Sequence, residues 1–249
     1  MLPLPPAEYP LLRPWFWPER PGPLVYPHVT ATGHGRCLVD RLPGPRTVLA
    51  EVSGNYSVRG DADHLTDPAE PIKGFVDAPE KFWPALRRLD PSAQVWERVI
   101  FGLPGEPAAT TAPAAEVRRL ADGDEAVVGA LSDDVGWIAS TLGGATGLTH
   151  SGLGWGAFLD GRLASVAVPF YLGERYTDIG VVTELEFRGR GLSTACAAEV
   201  VADIRRAGRI PSWSTSTDNP ASLGVARRLG FRLVREDRLY AVRTPVPAG

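Results

Sequence analysis

Arg188-Gly189-Arg190-Gly191-Leu192-Ser193 is a short turn suited to an anion. A hydrophobic strand pattern leads into it and an apolar-periodic helix leads out. Such a turn aims several backbone N–H groups at one spot, and the helix dipole favours negative charge there. Gly189 and Gly191 let the backbone come close to a ligand, and Arg188 and Arg190 add positive charge. Just upstream, strand alternation places Asp178, Gly180, Val182 and Glu184 on one face unless a bulge intervenes. The chemistry open to these residues is anion binding beside a carboxylate that can move a proton.

The elements that must position them are legible. Asp178–Leu185 reads as a strand. The helix after the turn carries a stripe of Leu192, Cys196, Val200 and Ile204, with Ala197 and Val201 beside it, and Gly208 as its C-cap. Ile210–Thr215 reads as a second strand, with Ser212, Ser214 and Ser216 alternating on one face. Asn219-Pro220-Ala221-Ser222 opens another helix, which buries Ser222, Val225, Ala226 and Leu229 and stops at Gly230-Phe231. Upstream come a strand at Ala115–Leu120, a helix entered from Asp122–Glu125, and a helix over Val135–Leu142. A hairpin follows, with Asp160-Gly161-Arg162 between two apolar runs. Gly143–Gly156, with His150 and Ser151, reads as a loop. Leu233-Val234 and Leu239–Val242 read as a closing antiparallel pair. The order β-α-α-β-β-β-α-β-α-β-β is that of a mixed α/β fold.

The first 27 residues, rich in Pro with Trp15, Phe16, Trp17 and Tyr26, read as an extended arm packed on the body. Short strands are expected from about Val29 to Val58 and at Gly74–Val76. A helix is expected through Leu89 and a strand over Val95–Gly102. Residues 104–113 (PGEPAATTAP) form the best linker, so the predicted domains are 1–110 and 114–244.

At 249 residues with 44% hydrophobic and 22% charged residues, the composition is that of a globular protein. The net charge of −3 leaves no global basic footprint for nucleic acid. The start lacks the pattern of a signal peptide, and no apolar run reaches membrane-spanning length. Cys37 and Cys196 cannot form a dense disulfide framework, so a reducing cytoplasm is expected. His28, His34, His64 and His150 lack ligand spacing, and no metal site is expected.

Residues Thr177–Phe231 resemble the coenzyme-A-binding half of the GNAT superfamily of N-acyltransferases. Arg188 and Gly191 match the family's Arg/Gln-x-x-Gly-x-Gly/Ala pattern, with Ser193 in the last small position. Asn219, Ser222, Gly230 and Phe231 match its Asn-x-x-Ala/Ser…Gly-Phe signature. The resemblance implies an α/β (α+β) fold for 114–244, with a mixed, mostly antiparallel twisted sheet flanked by helices. The N-terminal α/β domain is then open to being a degenerate second copy. It also implies acetyl-CoA as acyl donor, held by Val181, Val182, Thr183, Arg188, Gly189, Arg190, Gly191, Leu192, Ser193, Thr194, Asn219 and Ser222. A main-chain oxyanion contact falls around Val182 and Thr183; such a donor is worth about 3 kcal/mol. The acceptor is then an amine of a small molecule, attacking directly in a ternary complex. Asp178 is the first candidate base and Glu184 the second; for each, a solvated strand-end carboxylate is the competing reading.

One position departs from the family. A Tyr seven residues after the Asn often protonates the leaving thiolate, and here that residue is Ala226. Tyr240 and Ser216 are possible substitutes. A thiol of pKa about 8.5 also leaves without help. Two other functions stay open. Some proteins of this fold take an aminoacyl group from charged tRNA, for which Arg205, Arg206, Arg209, Arg227 and Arg228 would supply a basic surface. A non-catalytic coenzyme-A-binding module would explain Ala226. Trp137, Trp155 and Trp213 line an acceptor pocket or fill the core. The protein is expected as a monomer or homodimer without a membrane partner.

Overall fold

The computed structural model describes residues 1–108 and 114–247, and their strands join one twelve-stranded sheet. The chain runs through β1 (Leu2–Pro3), α1 (Arg13–Phe16), α2 (Val25–Thr32), β2 (Arg36–Val39), β3 (Thr47–Val52) and β4 (Asn55–Gly60). It continues through β5 (Gly74–Asp77), α3 (Trp83–Leu89), β6 (Gln94–Gly102), β7 (Glu116–Arg119), α4 (Glu125–Gly129) and α5 (Gly144–Ser151). It ends with β8 (Trp155–Leu159), β9 (Arg162–Leu172), β10 (Tyr176–Thr183), α6 (Leu192–Arg206), β11 (Ile210–Ser216), α7 (Pro220–Arg228) and β12 (Arg232–Val242). Asp160 and Gly161, at φ 49° and 76°, make the reversal between β8 and β9.

The strand order is β1-β2-β3-β4-β5-β12-β6-β11-β10-β9-β8-β7. Two neighbouring pairs are parallel, β4 with β5 and β10 with β11. Their paired stretches end at Ser57↔Asp77 and at Asp178↔Ser212; β4, β10 and β11 run on beyond them, while β5 stops at Asp77. Each parallel pair is followed by a helix and a last strand, so the two halves repeat one plan. The last strands are exchanged. β6 pairs with β11, β12 pairs with β5, and β6 and β12 pair with each other. The sheet therefore runs through both predicted domains. The expected linker is described only as far as 108, where the Ala108 N–H bonds the Leu229 carbonyl at 3.2 Å; residues 109–113 lie outside the described residues.

Helices α3, α6 and α7 cover one face. Val99, Phe101, Ile179 and Trp213 pack there against Leu192, Cys196, Val200, Ile204 and Leu229. Leu49, Val58, Val76, Tyr240 and Val242 pack against Phe82 and Leu86. The other face curls. α2 touches both β3 and β9, strands that a flat sheet would hold about 34 Å apart at 4.8 Å per strand. His28 of α2 ties this curl. Its Nε2 meets the Thr141 carbonyl at 2.8 Å, and its Nδ1 lies 3.0 Å from the Leu172 N–H. Accepting at Nδ1 leaves Nε2 to donate, and burial pushes the imidazole pKa down to about 4, so the ring is neutral.

Four expectations are corrected. Residues 25–32 form α2 rather than arm and strand, because Pro27 sits in the first turn, where its missing N–H costs little. Gly143–Gly156 contains α5 rather than only a loop; Leu148, fully buried, holds a glycine-rich helix that propensity disfavours. The predicted closing pair is the single strand β12, whose ladder to β6 shifts register between Leu233 and Arg235. The arm is helical in part, and it is clasped rather than simply packed. The Glu19 carboxylate accepts the N–H groups of Glu174, Arg175 and Tyr176 at 2.8, 2.9 and 2.7 Å. Glu19→Ala is expected to cost about 1–2 kcal/mol through these lost charge-assisted bonds, read by urea unfolding.

Candidate active site

Beyond Asp178 and Ser212, β10 and β11 are no longer paired, which leaves an opening between them. Glu184 donates its N–H to Ala164 of β9 at 3.0 Å. Alternation along that antiparallel ladder turns the amides of Val182 and Glu184 toward β9 and those of Val181 and Thr183 toward the opening. Of the expected main-chain contributors, Val181 and Thr183 thus face the opening, while the amide of Val182 is committed to the sheet. The Arg188 Nε donates to the Thr183 carbonyl at 3.3 Å, which draws the turn back over the strand end.

The turn sits at the mouth of the opening. Gly189 and Gly191 both have φ 78°, a left-handed conformation that only glycine adopts freely. Among the described residues a Cβ at either would meet nothing within 4 Å, so both glycines are required by conformation rather than by packing. Gly191 caps α6 without a side-chain bond, and the first intrahelical bond runs from the Ala195 N–H to the Gly191 carbonyl at 3.1 Å. The amides of Leu192, Ser193 and Thr194 lie ahead of it. The Thr194 hydroxyl is buried and has no partner among the described residues. Bare amides, an orphaned hydroxyl and two arginines are groups that suit an anion.

Asp178 marks the apex of the opening, on the face opposite α6. Ile179 and Val181 pack toward α6, so alternation holds at Asp178, Gly180 and Val182; the register shift beside Asp178 falls on the pairing with β9. Its Oδ1 accepts from the Ser212 and Ser214 hydroxyls at 2.8 and 3.1 Å. Burial pushes its pKa up to about 6, against the opposing pull of these hydroxyls and of Arg98 and Arg235. Arg98 was missed from the sequence. Ser214 was visible only as one of three alternating serines. Arg98 carried no signal, because nothing local says that β6 lies beside β11.

Other predicted residues have different places. Glu184 accepts from the Ser132 N–H and hydroxyl, both at 2.8 Å, and so fastens the segment before the 136–142 turn. Tyr240 lies on the helical face in the N-terminal core, its ring stacked on Trp83 at 5.2 Å, and is not brought to Asp178. Asn219 caps α7 by accepting the Ser222 N–H at 2.9 Å. The Ser222 hydroxyl accepts from the Trp213 Nε1 at 3.0 Å, and Trp213 is buried in the core. Ser222→Ala strands that indole N–H, and a loss of about 1–2 kcal/mol in urea unfolding is expected. Ala226 is fully buried in α7. Ser216 ends β11, opposite Arg98.

Trp155 donates to Asp203 at 2.8 Å, and Trp137 stands half exposed over Phe170. His150 groups at the surface with Asp122 and Glu125. Of the arginines considered for tRNA, Arg205 pairs with Glu106 and Arg206 with Asp203. Among the described residues no helix is long and apolar enough to cross a membrane.

Known proteins share this fold. The family described as GNAT acetyltransferase matches residues 131–240. An uncharacterised N-acetyltransferase encoded in the mutA 5′ region of Streptomyces virginiae is 37% identical over 210 residues, covering 82% of this chain and 88% of its own. A GCN5-related N-acetyltransferase-like protein from Streptococcus suis superposes with a TM-score of 0.73 at 18% identity, over 95% of this chain and 99% of its own. A tandem GNAT protein from the clavulanic acid biosynthesis pathway superposes with a TM-score of 0.53 at 15% identity, over 99% of each chain. At these identities the structural likenesses show the fold, a mixed sheet flanked by helices. The relative from Streptomyces carries more, and with the family match it establishes that this chain belongs to the GNAT family of N-acetyltransferases.

Proposed function

We propose that the chain transfers an acetyl group from acetyl-CoA to an amine of a small molecule, with Asp178 as general base. The observation that carries this reading is a buried carboxylate of pKa about 6 at the apex of the β10–β11 opening, whose mouth meets the bare N-terminus of α6. Leu192, Ser193 and Thr194 amides with Arg188 and Arg190 suit the pyrophosphate. The amides of Val181 and Thr183 suit the pantetheine arm and the acyl oxygen. Acetyl-CoA supplies an activated acetyl group, which the amine attacks as the thiolate leaves. Asp178 takes the proton released by the amine, and a pKa near 6 leaves it ionised and ready at neutral pH. With Ala226 in place of a tyrosine and Tyr240 in the other core, solvent protonates the thiolate.

The repeated plan supports two GNAT-like units, 1–110 and 114–244, that exchange their last strands. The connection from β4 to β5 lacks the turn and long helix that α6 provides, so this reading assigns one active site per chain. Cys37 and Cys196 are free and buried, in keeping with a cytoplasmic enzyme. Calorimetric titration with acetyl-CoA tests the donor, with a micromolar Kd expected. Absence of binding to well-folded protein would sink the reading. Thiol release over an amine panel then tests transfer.

A further inference from the structure

Trp96, Arg98 and Ile100 alternate onto the Asp178 face of β6, since Val99 and Phe101 pack beneath α6 and α7. Arg98 stands opposite Ser216 of β11 and Asp237 of β12. Its guanidinium stacks on the Trp96 indole, 4.1 Å from the ring centroid. The Arg98 Nε is sealed from solvent, and among the described residues it has no hydrogen-bond partner. The Trp96 Nε1 is buried and partnerless in the same way. The neighbouring carboxylates are held elsewhere: Asp237 by the Arg235 Nε and Nη2 at 3.2 and 2.7 Å, Asp178 by its two serines. A buried donor without an acceptor is rare in native proteins and calls for an explanation, such as a group that arrives with a ligand.

The strand exchange puts these donors on the sheet face that carries Asp178. Arg98 belongs to the N-terminal half, yet its charge is felt by Asp178 of the C-terminal half. A planar guanidinium fixed on an indole presents its fork for a carboxylate. Asp178 and Asp237 already bring negative charge to this face, which favours a singly charged group over a phosphate.

We infer that Arg98 and Trp96 anchor the carboxylate of the acceptor, so that the amine substrate is an amino acid or a related amino-carboxylate whose amine points to Asp178. This inference rests on the acetyl-transfer reading and narrows it.

The test compares L-amino acids with their C-terminal amides by thiol release from acetyl-CoA. It is run at pH 8.5, where Asp178 is ionised with or without Arg98 nearby. Wild type is expected to prefer the acid of a productive pair by about 100-fold in kcat/KM. Arg98→Met keeps the stacking on Trp96 and is expected to bring that ratio close to one. Arg98→Lys keeps charge without the fork and is expected to retain a ratio of about ten. Arg98→Met is also expected to unfold at the same or higher urea concentration, because it removes a buried unpaired donor; a purely structural arginine would show the opposite. Equal turnover of acids and amides, or an equal loss of both in Arg98→Met, overturns the inference and leaves acetyl transfer standing. Wild type that binds acetyl-CoA yet releases thiol with no amine of either kind overturns both.

Discussion

Asp178→Asn is expected to lower kcat/KM for the acceptor amine by about 10²–10⁴-fold at pH 7.5, the range of a lost general base. Asparagine keeps an oxygen for the Ser212 and Ser214 hydroxyls, so geometry survives while proton acceptance does not. Wild-type kcat/KM should rise with pH through about 6, as the carboxyl whose pKa burial has raised becomes ionised. The variant should lack that rise. Stability gives a second readout of opposite sense. The folded pKa lies above the ordinary carboxylate value, so between about pH 4 and 6 the folded protein holds more protons than the unfolded chain. Wild-type stability therefore falls as pH climbs through that window, and Asp178→Asn should flatten the fall. An unchanged pH–rate profile in the variant would remove Asp178 from the chemistry. The acetyl-CoA Kd should stay within about threefold, since the proposed anion site lies at the N-terminus of α6.

Gly191→Glu is expected to weaken acetyl-CoA binding by at least 100-fold, about 2.7 kcal/mol. Two effects add. At φ 78° a side chain strains the turn by about 1 kcal/mol. A carboxylate beside the bare amides of α6 then competes for them as an internal anion and repels the pyrophosphate. That carboxylate also complements the helix dipole, so the fold should survive with little change in urea midpoint. Gly191→Ala separates the contributions. It carries the strain without the charge, and open space around the Cβ predicts a loss of only about tenfold. Calorimetry on the three proteins checks the ordering. A Kd for Gly191→Glu within tenfold of wild type would mean that the pyrophosphate lies elsewhere.

The two experiments probe opposite sides of one opening. A donor site that survives loss of Asp178, and an anion site lost with Gly191, would together show that binding and proton transfer are separable. That separation fits where the two groups lie: the uncapped amides stand where α6 begins, and Asp178 lies on the face that α6 does not cover.

Local chemistry determined much of this protein. Apolar periodicity placed α6 and α7, Asp160-Gly161 placed the β8–β9 reversal, and the glycines of the turn marked its left-handed backbone. Those features depend on residues within a few positions of one another, so the chain spells them out directly. Alternation likewise put Asp178 on its strand face, and the family resemblance made it the candidate base. What fills the place beside β11 was not legible. The pattern of β6 says which of its side chains share a face, but pairing with a strand about 110 residues later leaves no local trace, because any strand of similar length offers the same hydrogen-bonding edge. Only the tertiary structure exchanged the last strands. That exchange brought Arg98 within electrostatic reach of Asp178 and carried Tyr240 into the other core. It also made one continuous strand of a stretch that reads as a hairpin. The curl around α2 was decided at the same level, because His28 gains its two partners only when Thr141 and Leu172 arrive from the other half of the chain.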